Sequence, residues 1–82
     1  MMLWSVYLVR CKDNSLYCGI SNNVEQRVIA HNSGKGAKYT RPRKPVVLVY
    51  EEKIGTKQEA AKREYQIKQM SKKQKEELVK GF

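Results

Sequence analysis

Five polar side chains of this chain could act together on a phosphodiester: Tyr7, Tyr17, Arg27, His31 and Glu64. Hydrolysis of that bond needs a hard cation held by a carboxylate. One carboxylate is enough for Mg2+, which keeps several of its waters, and Glu64 is the candidate. The phosphate oxygens need positive charge, where a guanidinium excels, and Arg27 is the candidate. The attacking water needs a proton acceptor, and His31 or an activated phenol, Tyr7 or Tyr17, can serve. Arg27 and His31 are four residues apart, so on a helix they share a side, one turn from each other. Each residue also has an ordinary reading. Arg27 can be a solvated helix residue, and His31 suits a helix C-terminus. Glu64 can pair with Lys68 four residues on, an exposed pair of small energetic consequence. Tyr7 and Tyr17 suit strands through packing alone.

The elements that must position these groups follow from pattern. Residues 4–11 form an apolar strand, KDNS a turn, and residues 16–21 a second strand. SNN offers caps for a short helix over about 23–32, with Val24, Val28 and Ile29 on its apolar side. NSGKG ends it. VVLVYEE, residues 46–52, is a third strand, and IGTKQ is a turn with Thr56 as N-cap. The next helix directs Ala60, Ala61, Tyr65 and Ile67 at the sheet. Ser71 caps a last helix, with Gln74 completing a capping box. The order strand, strand, helix, strand, helix, helix predicts an α+β fold: one domain over 1–82, a three-stranded antiparallel sheet flanked by helices. The first and third strands are nearly continuous apolar runs, which predicts helices on both sheet faces.

Seventeen Lys and Arg against eight Asp and Glu give a net charge of +9 over 82 residues. That excess attracts polyanions, nucleic acid first and an anionic membrane second. The segment GKGAKYTRPRKP carries five bases and no acid. Its Lys35, Lys38, Arg41, Arg43 and Lys44 predict sequence-independent phosphate contacts. The apolar run MMLWSVYLV is nine residues long, too short to span a membrane, and it lacks a basic start or a cleavage site. A cytoplasmic location and no membrane partner are the expectation. Cys11 and Cys18 make neither a disulfide framework nor a four-ligand zinc site, and read as reduced, buried strand residues.

Strand alternation decides whether the two phenols can cooperate. Tyr7 and Tyr17 share a face if paired residue numbers sum to an even value, as with 11 opposite 17. A three-residue loop, Asp13–Ser15, with a bulge achieves this, with Asn14 or Ser15 left-handed. A two-residue loop at Asp13–Asn14 puts the phenols on opposite faces.

SVY at 5–7 and YCG at 17–19 are similar to the two short tyrosine elements of the GIY-YIG endonuclease superfamily. The R-x-x-x-H at Arg27 and His31, and Glu64 on a later helix, follow in the same order. The stretches VYLVRCKDNSLYCGIS, QRVIAHNSGKGAKYTRPRKPV and AAKREYQIKQMSKKQK resemble the small stand-alone GIY-YIG proteins of bacteria, an uncharacterised family. Ser5 replaces the first motif Gly, and the last helix lacks the Asn found in some superfamily members. The resemblance implies metal-dependent hydrolysis of DNA. By position, Tyr7 or Tyr17 would assist or deprotonate the attacking water, and Arg27 would stabilise the pentacovalent phosphate. His31 would serve in proton transfer, and Glu64 would hold one Mg2+ or Mn2+. Tyr39 would be a further site-facing residue, and Gly19 would permit close approach beside Tyr17.

One small domain grips few phosphates, and nothing in the sequence reads bases. Recognition of branched or single-stranded DNA, or recruitment by a protein partner, is therefore expected, with repair or recombination as the setting by analogy. RNA is compatible with the same charge. A nucleic-acid-binding module without catalysis and a domain binding an acidic protein are the competing classes.

Overall fold

A computed structural model describes residues 3–82, so Met1 and Met2 of the apolar lead-in lie outside the described residues. Strands β1 (Trp4–Arg10), β2 (Leu16–Ser21) and β3 (Val47–Gly55) form one antiparallel sheet in the order β2-β1-β3. Helices α1 (Val24–Asn32), α2 (Lys57–Lys68) and α3 (Lys72–Lys80) complete the order β-β-α-β-α-α.

The central strand explains the layering. Val6, Tyr7, Leu8 and Val9 are each at most 1% exposed, because β1 is covered on both faces. On one side Tyr7, Val9 and Cys11 pack with Val24 of α1, Val46, Tyr17, Val28 and Leu48. On the other, Val6, Leu8 and Cys18 pack with Ile67 of α2 and with Leu78 and Val79 of α3. Both cysteines are free and buried. The apolar run thus signalled a doubly covered strand.

The helix starts follow their caps. Asn23 accepts from the Gln26 N–H, while Thr56 with Glu59 and Ser71 with Gln74 form reciprocal capping boxes. Gly55 enables the first box. Its φ is +152°, and a Cβ there would lie 2.9 Å from Glu59 Oε1. Arg10 fastens α3 to the hairpin through two bonds to Glu76, at 2.9 and 2.6 Å.

Three expectations are corrected. β3 runs on to Gly55 instead of ending at 52, because Trp4 and Ser5 at the start of β1 pair with Gly55 and Lys53. α2 buries Ala60 and Ile67 but leaves Ala61 exposed and Tyr65 68% exposed. Residues 60, 64 and 67 share a helix face, and at 100° per residue Tyr65 falls on the opposite one. The hairpin loop has three residues, as a shared tyrosine face requires, but they are Lys12–Asn14. Cys11 N–H donates to the Ser15 carbonyl at 2.8 Å, and Asn14 has φ +71°. Asn tolerates the left-handed region better than Ser, and Asp13 Oδ1 accepts from the Ser15 N–H, so Ser15 is held opposite Cys11, just before β2.

Candidate functional site

The observed register pairs Tyr7 with Gly19 and Val9 with Tyr17. Tyr7, Gly19 and Tyr17 therefore point to one face, the face covered by α1. The Tyr7 ring lies directly across Gly19, where a Cβ would meet Tyr7 Oη at 2.6 Å and Cζ at 2.8 Å. The close approach at Gly19 is thus made by the protein's own phenol.

Beneath α1 the ring reaches a buried polar chain. Tyr7 Oη is 2.8 Å from His31 Nε2. His31 Nδ1 is 2.7 Å from Thr40 Oγ1, and the Thr40 hydroxyl donates to the Ala37 carbonyl at 2.9 Å. Tyr7 is 1% exposed, and His31 and Thr40 are at 0%. Among the described residues, no buried side-chain N or O lacks a partner. Burial pushes the Tyr7 phenol up to about 12, an effect the nearby Arg27 guanidinium opposes. Burial holds the His31 imidazole below its ordinary value, and Arg27 adds to that. At neutral pH the pair is a neutral phenol and a neutral imidazole.

Above this chain the side chains stack outward. The Tyr17 ring stands edge-on to His31, centroids 5.4 Å apart. Tyr39, 40% exposed, stacks on Tyr17 at 5.9 Å, and the Arg43 guanidinium lies 4.0 Å over Tyr39. Tyr17 is half-buried and Arg27 half-exposed, so these two carry the site toward solvent.

Glu64 comes from α2, on the other face. Its carboxylate holds Lys68 Nζ at 3.3 Å, and that ammonium lies 6.0 Å from the Tyr17 ring centroid. Lys68 so links Glu64 to Tyr17 around β2, an edge strand. Among the described residues no cluster of three His, Cys, Asp or Glu could hold a metal. The Glu64 side chain is 22% exposed.

The basic segment divides in two. Lys35, Lys38, Arg41 and Lys44 are exposed. Arg43 is engaged: Nε donates to Asp13 Oδ2 at 3.0 Å and Nη1 to the Tyr39 carbonyl at 2.8 Å. The Arg43 carbonyl also accepts from the Lys12 N–H at 2.9 Å. The loop is pinned to the hairpin turn, and Arg43 belongs to the pin.

Sequence reasoning missed Thr40 and Gly36, and gave Lys68 only as the ion-pair partner of Glu64. A Cβ on Gly36 would lie 2.3 Å from His31 Nδ1, so Gly36 is where the loop closes over the imidazole. The signal was present: a histidine on a short helix needs a partner for each ring nitrogen once buried, and GKGAKYT was the adjacent segment.

Residues 3–77 match the family model described as GIY-YIG catalytic domain. A UPF0213 protein of Staphylococcus haemolyticus is 58% identical over 74 residues, 90% of each chain. One from Clostridium perfringens is 55% identical over 74 residues, covering 90% of this chain and 80% of that one. Among solved structures, a UPF0213 protein from Bacillus halodurans superposes with a TM-score of 0.61 at 46% identity, covering 96% of this chain and 84% of that one. A protein from E. faecalis gives 0.66 at 42% identity, covering 100% and 88%. No described helix is long and apolar enough to cross a membrane.

Proposed function

We propose, from the premise that this chain belongs to the GIY-YIG family, a metal-dependent endonuclease that hydrolyses DNA phosphodiester bonds. The observation that carries this reading is the Tyr7–His31 contact at 2.8 Å beneath Tyr17, with the Arg27 charge acting on both members. A phenol coupled to a neutral imidazole can pass on the proton of an attacking water. Arg27 beside it meets the negative charge that grows on the phosphate oxygens. Tyr17 is the phenol nearer the surface, and Tyr7 is reached beneath it.

Glu64 fits a hard divalent ion by its donor chemistry. It offers anionic oxygens with side-chain exposure that leaves room for waters, and it already attracts one cation, the Lys68 ammonium. Mg2+ or Mn2+ held there would supply charge stabilisation at the scissile phosphate. Lys35, Lys38, Arg41 and Lys44 grip the backbone without reading sequence. With no base-reading element, selection rests on DNA shape, branched or single-stranded, or on a protein partner, in repair or recombination.

The test is cleavage of labelled duplex, single strand, flap and four-way junction, with Mg2+, with Mn2+ and with EDTA. Wild type runs beside Glu64→Ala and Arg27→Ala. Metal-dependent cutting of one form, lost in both variants, is the expected result. Salt-sensitive binding with no cutting by folded wild type overturns it. That outcome favours the second reading, a binding module, for which the absence of a three-residue ligand cluster among the described residues speaks.

A further inference from the structure

We infer that Thr40 is a positioning residue: its hydroxyl fixes His31 as the Nδ1–H tautomer, leaving Nε2 bare to accept the proton of Tyr7. This rests on the nuclease reading for its purpose, but not for its geometry.

The direction of the chain follows from its end. A hydroxyl has one proton. Thr40 gives its own to the Ala37 carbonyl, which can only accept. Thr40 Oγ1 is then an acceptor toward His31, and the proton of that 2.7 Å contact belongs to Nδ1. A neutral imidazole carries one N–H, so Nε2 is a lone pair, and the 2.8 Å contact is Tyr7 Oη–H donating to it. The other end agrees. The Arg27 guanidinium near Tyr7 can only donate, so it offers no acceptor that would compete with His31 for the phenol proton.

The arrangement is a built one. Thr40 sits at 0% exposure, and the backbone between it and His31 closes through Gly36, the position where a Cβ would meet Nδ1 at 2.3 Å. A larger residue there would push the loop off the imidazole. The segment that supplies the acceptor is also the segment with Lys35, Lys38 and Arg41, so the loop that meets the phosphates holds the tautomer.

The arrangement permits one proton transfer. The Tyr7 O–H bond breaks and a His31 Nε2–H bond forms, giving phenolate and imidazolium, charged forms that burial opposes on both partners, so the transfer is uphill in the free protein. The Nδ1–H keeps donating to Thr40 Oγ1 throughout, so the ring need not turn, and the phenolate forms beside Arg27. With the opposite tautomer, Nε2–H would point at Tyr7 and no acceptor would exist.

His31 is the chain's one histidine, so nitrogen-15 correlation spectra of its imidazole are unambiguous. Free protein at pH 7.5 should show a protonated Nδ1 and a bare Nε2. Thr40→Ser should keep that pattern, and Thr40→Val should lose it to the other tautomer or a mixture. Where a substrate is cut, Thr40→Val should lower kcat about 10- to 100-fold at unchanged KM, as loss of an outer partner does for metal-bound imidazoles, with Thr40→Ser close to wild type. A proton on Nε2 in the wild type overturns the inference, whether or not Thr40→Val folds. So does a wild-type pattern in folded Thr40→Val. The spectra need neither DNA nor metal, so they stand apart from failure of the nuclease reading.

Discussion

Gly19→Ala tests the geometry that joins Tyr7 to His31. The new Cβ would lie 2.6 Å from Tyr7 Oη, 2.8 Å from Cζ and 3.1 Å from Cε1. Comfortable carbon contacts begin at about 3.5 Å, so the ring must move by most of an ångström. It has nowhere easy to go, since Tyr7 is 1% exposed and packed among Val9, Val24 and Val46. Overpacking of this kind costs about 1–3 kcal/mol. Displacing Oη also breaks the 2.8 Å bond to His31 and leaves a buried nitrogen without its donor, a further cost of about 1–2 kcal/mol. Replacing glycine in a strand returns about 0.5–1 kcal/mol. The net loss is about 1–4.5 kcal/mol, or about 4–36 °C in Tm for a domain of this size. Urea and thermal unfolding of wild type and Gly19→Ala measure it. Tyr7→Leu in the Gly19→Ala background should recover part of the loss, since the ring that clashes is gone. A folded Gly19→Ala within about 0.5 kcal/mol of wild type would refute the packing argument.

Acid should destabilise the fold through His31: its folded value lies below the unfolded one, so its stability contribution is complete above about pH 6.5 and is lost as pH falls toward the folded value, which urea midpoints between pH 7.5 and 5 will show. In alkali the sign reverses for Tyr7, whose phenol at about 12 adds stability below about pH 10 that is lost as pH rises toward 12; absorbance titration should find a late tyrosine that disappears in Tyr7→Phe. Neutralising Lys35, Lys38, Arg41 or Lys44 should each reduce the salt slope of DNA binding by up to about 0.9, whereas Arg43→Gln, whose side chain is held by Asp13 and Tyr39, should change it less; fluorescence anisotropy across a salt series decides this. Lys68→Met should tighten Mn2+ at Glu64, because it removes the ammonium at 3.3 Å that competes for the carboxylate; line broadening of residues near Glu64 during a Mn2+ titration reports it.

Much of this molecule is written locally. The continuous apolar run of β1, the caps at Thr56 and Ser71, and the R-x-x-x-H spacing each depend on residues close in sequence, so pattern alone placed them. The parity that puts Tyr7 and Tyr17 on one face was not legible: the sequence allowed either loop length, Asn14 tolerates a positive φ in both, and only the observed register, Tyr7 opposite Gly19, decides it. The loop stands one residue earlier because Asp13 binds the Ser15 N–H, a local contact that periodicity does not show. Long-range packing determined the rest. Val49 bulges out between Leu48 and Tyr50, as the shift from Leu8↔Tyr50 to Val9↔Leu48 records, and a bulge is set by the partner strand. Tyr65 points away because only the face with Ala60 and Ile67 meets the sheet. Arg43 looked like any other base in its loop until Asp13, thirty residues away, was seen to hold it. The tertiary structure alone gave His31 its two partners, Tyr7 from a strand and Thr40 from a loop. A buried imidazole must satisfy both nitrogens, but which groups satisfy them is a matter of three-dimensional packing, which periodicity does not encode.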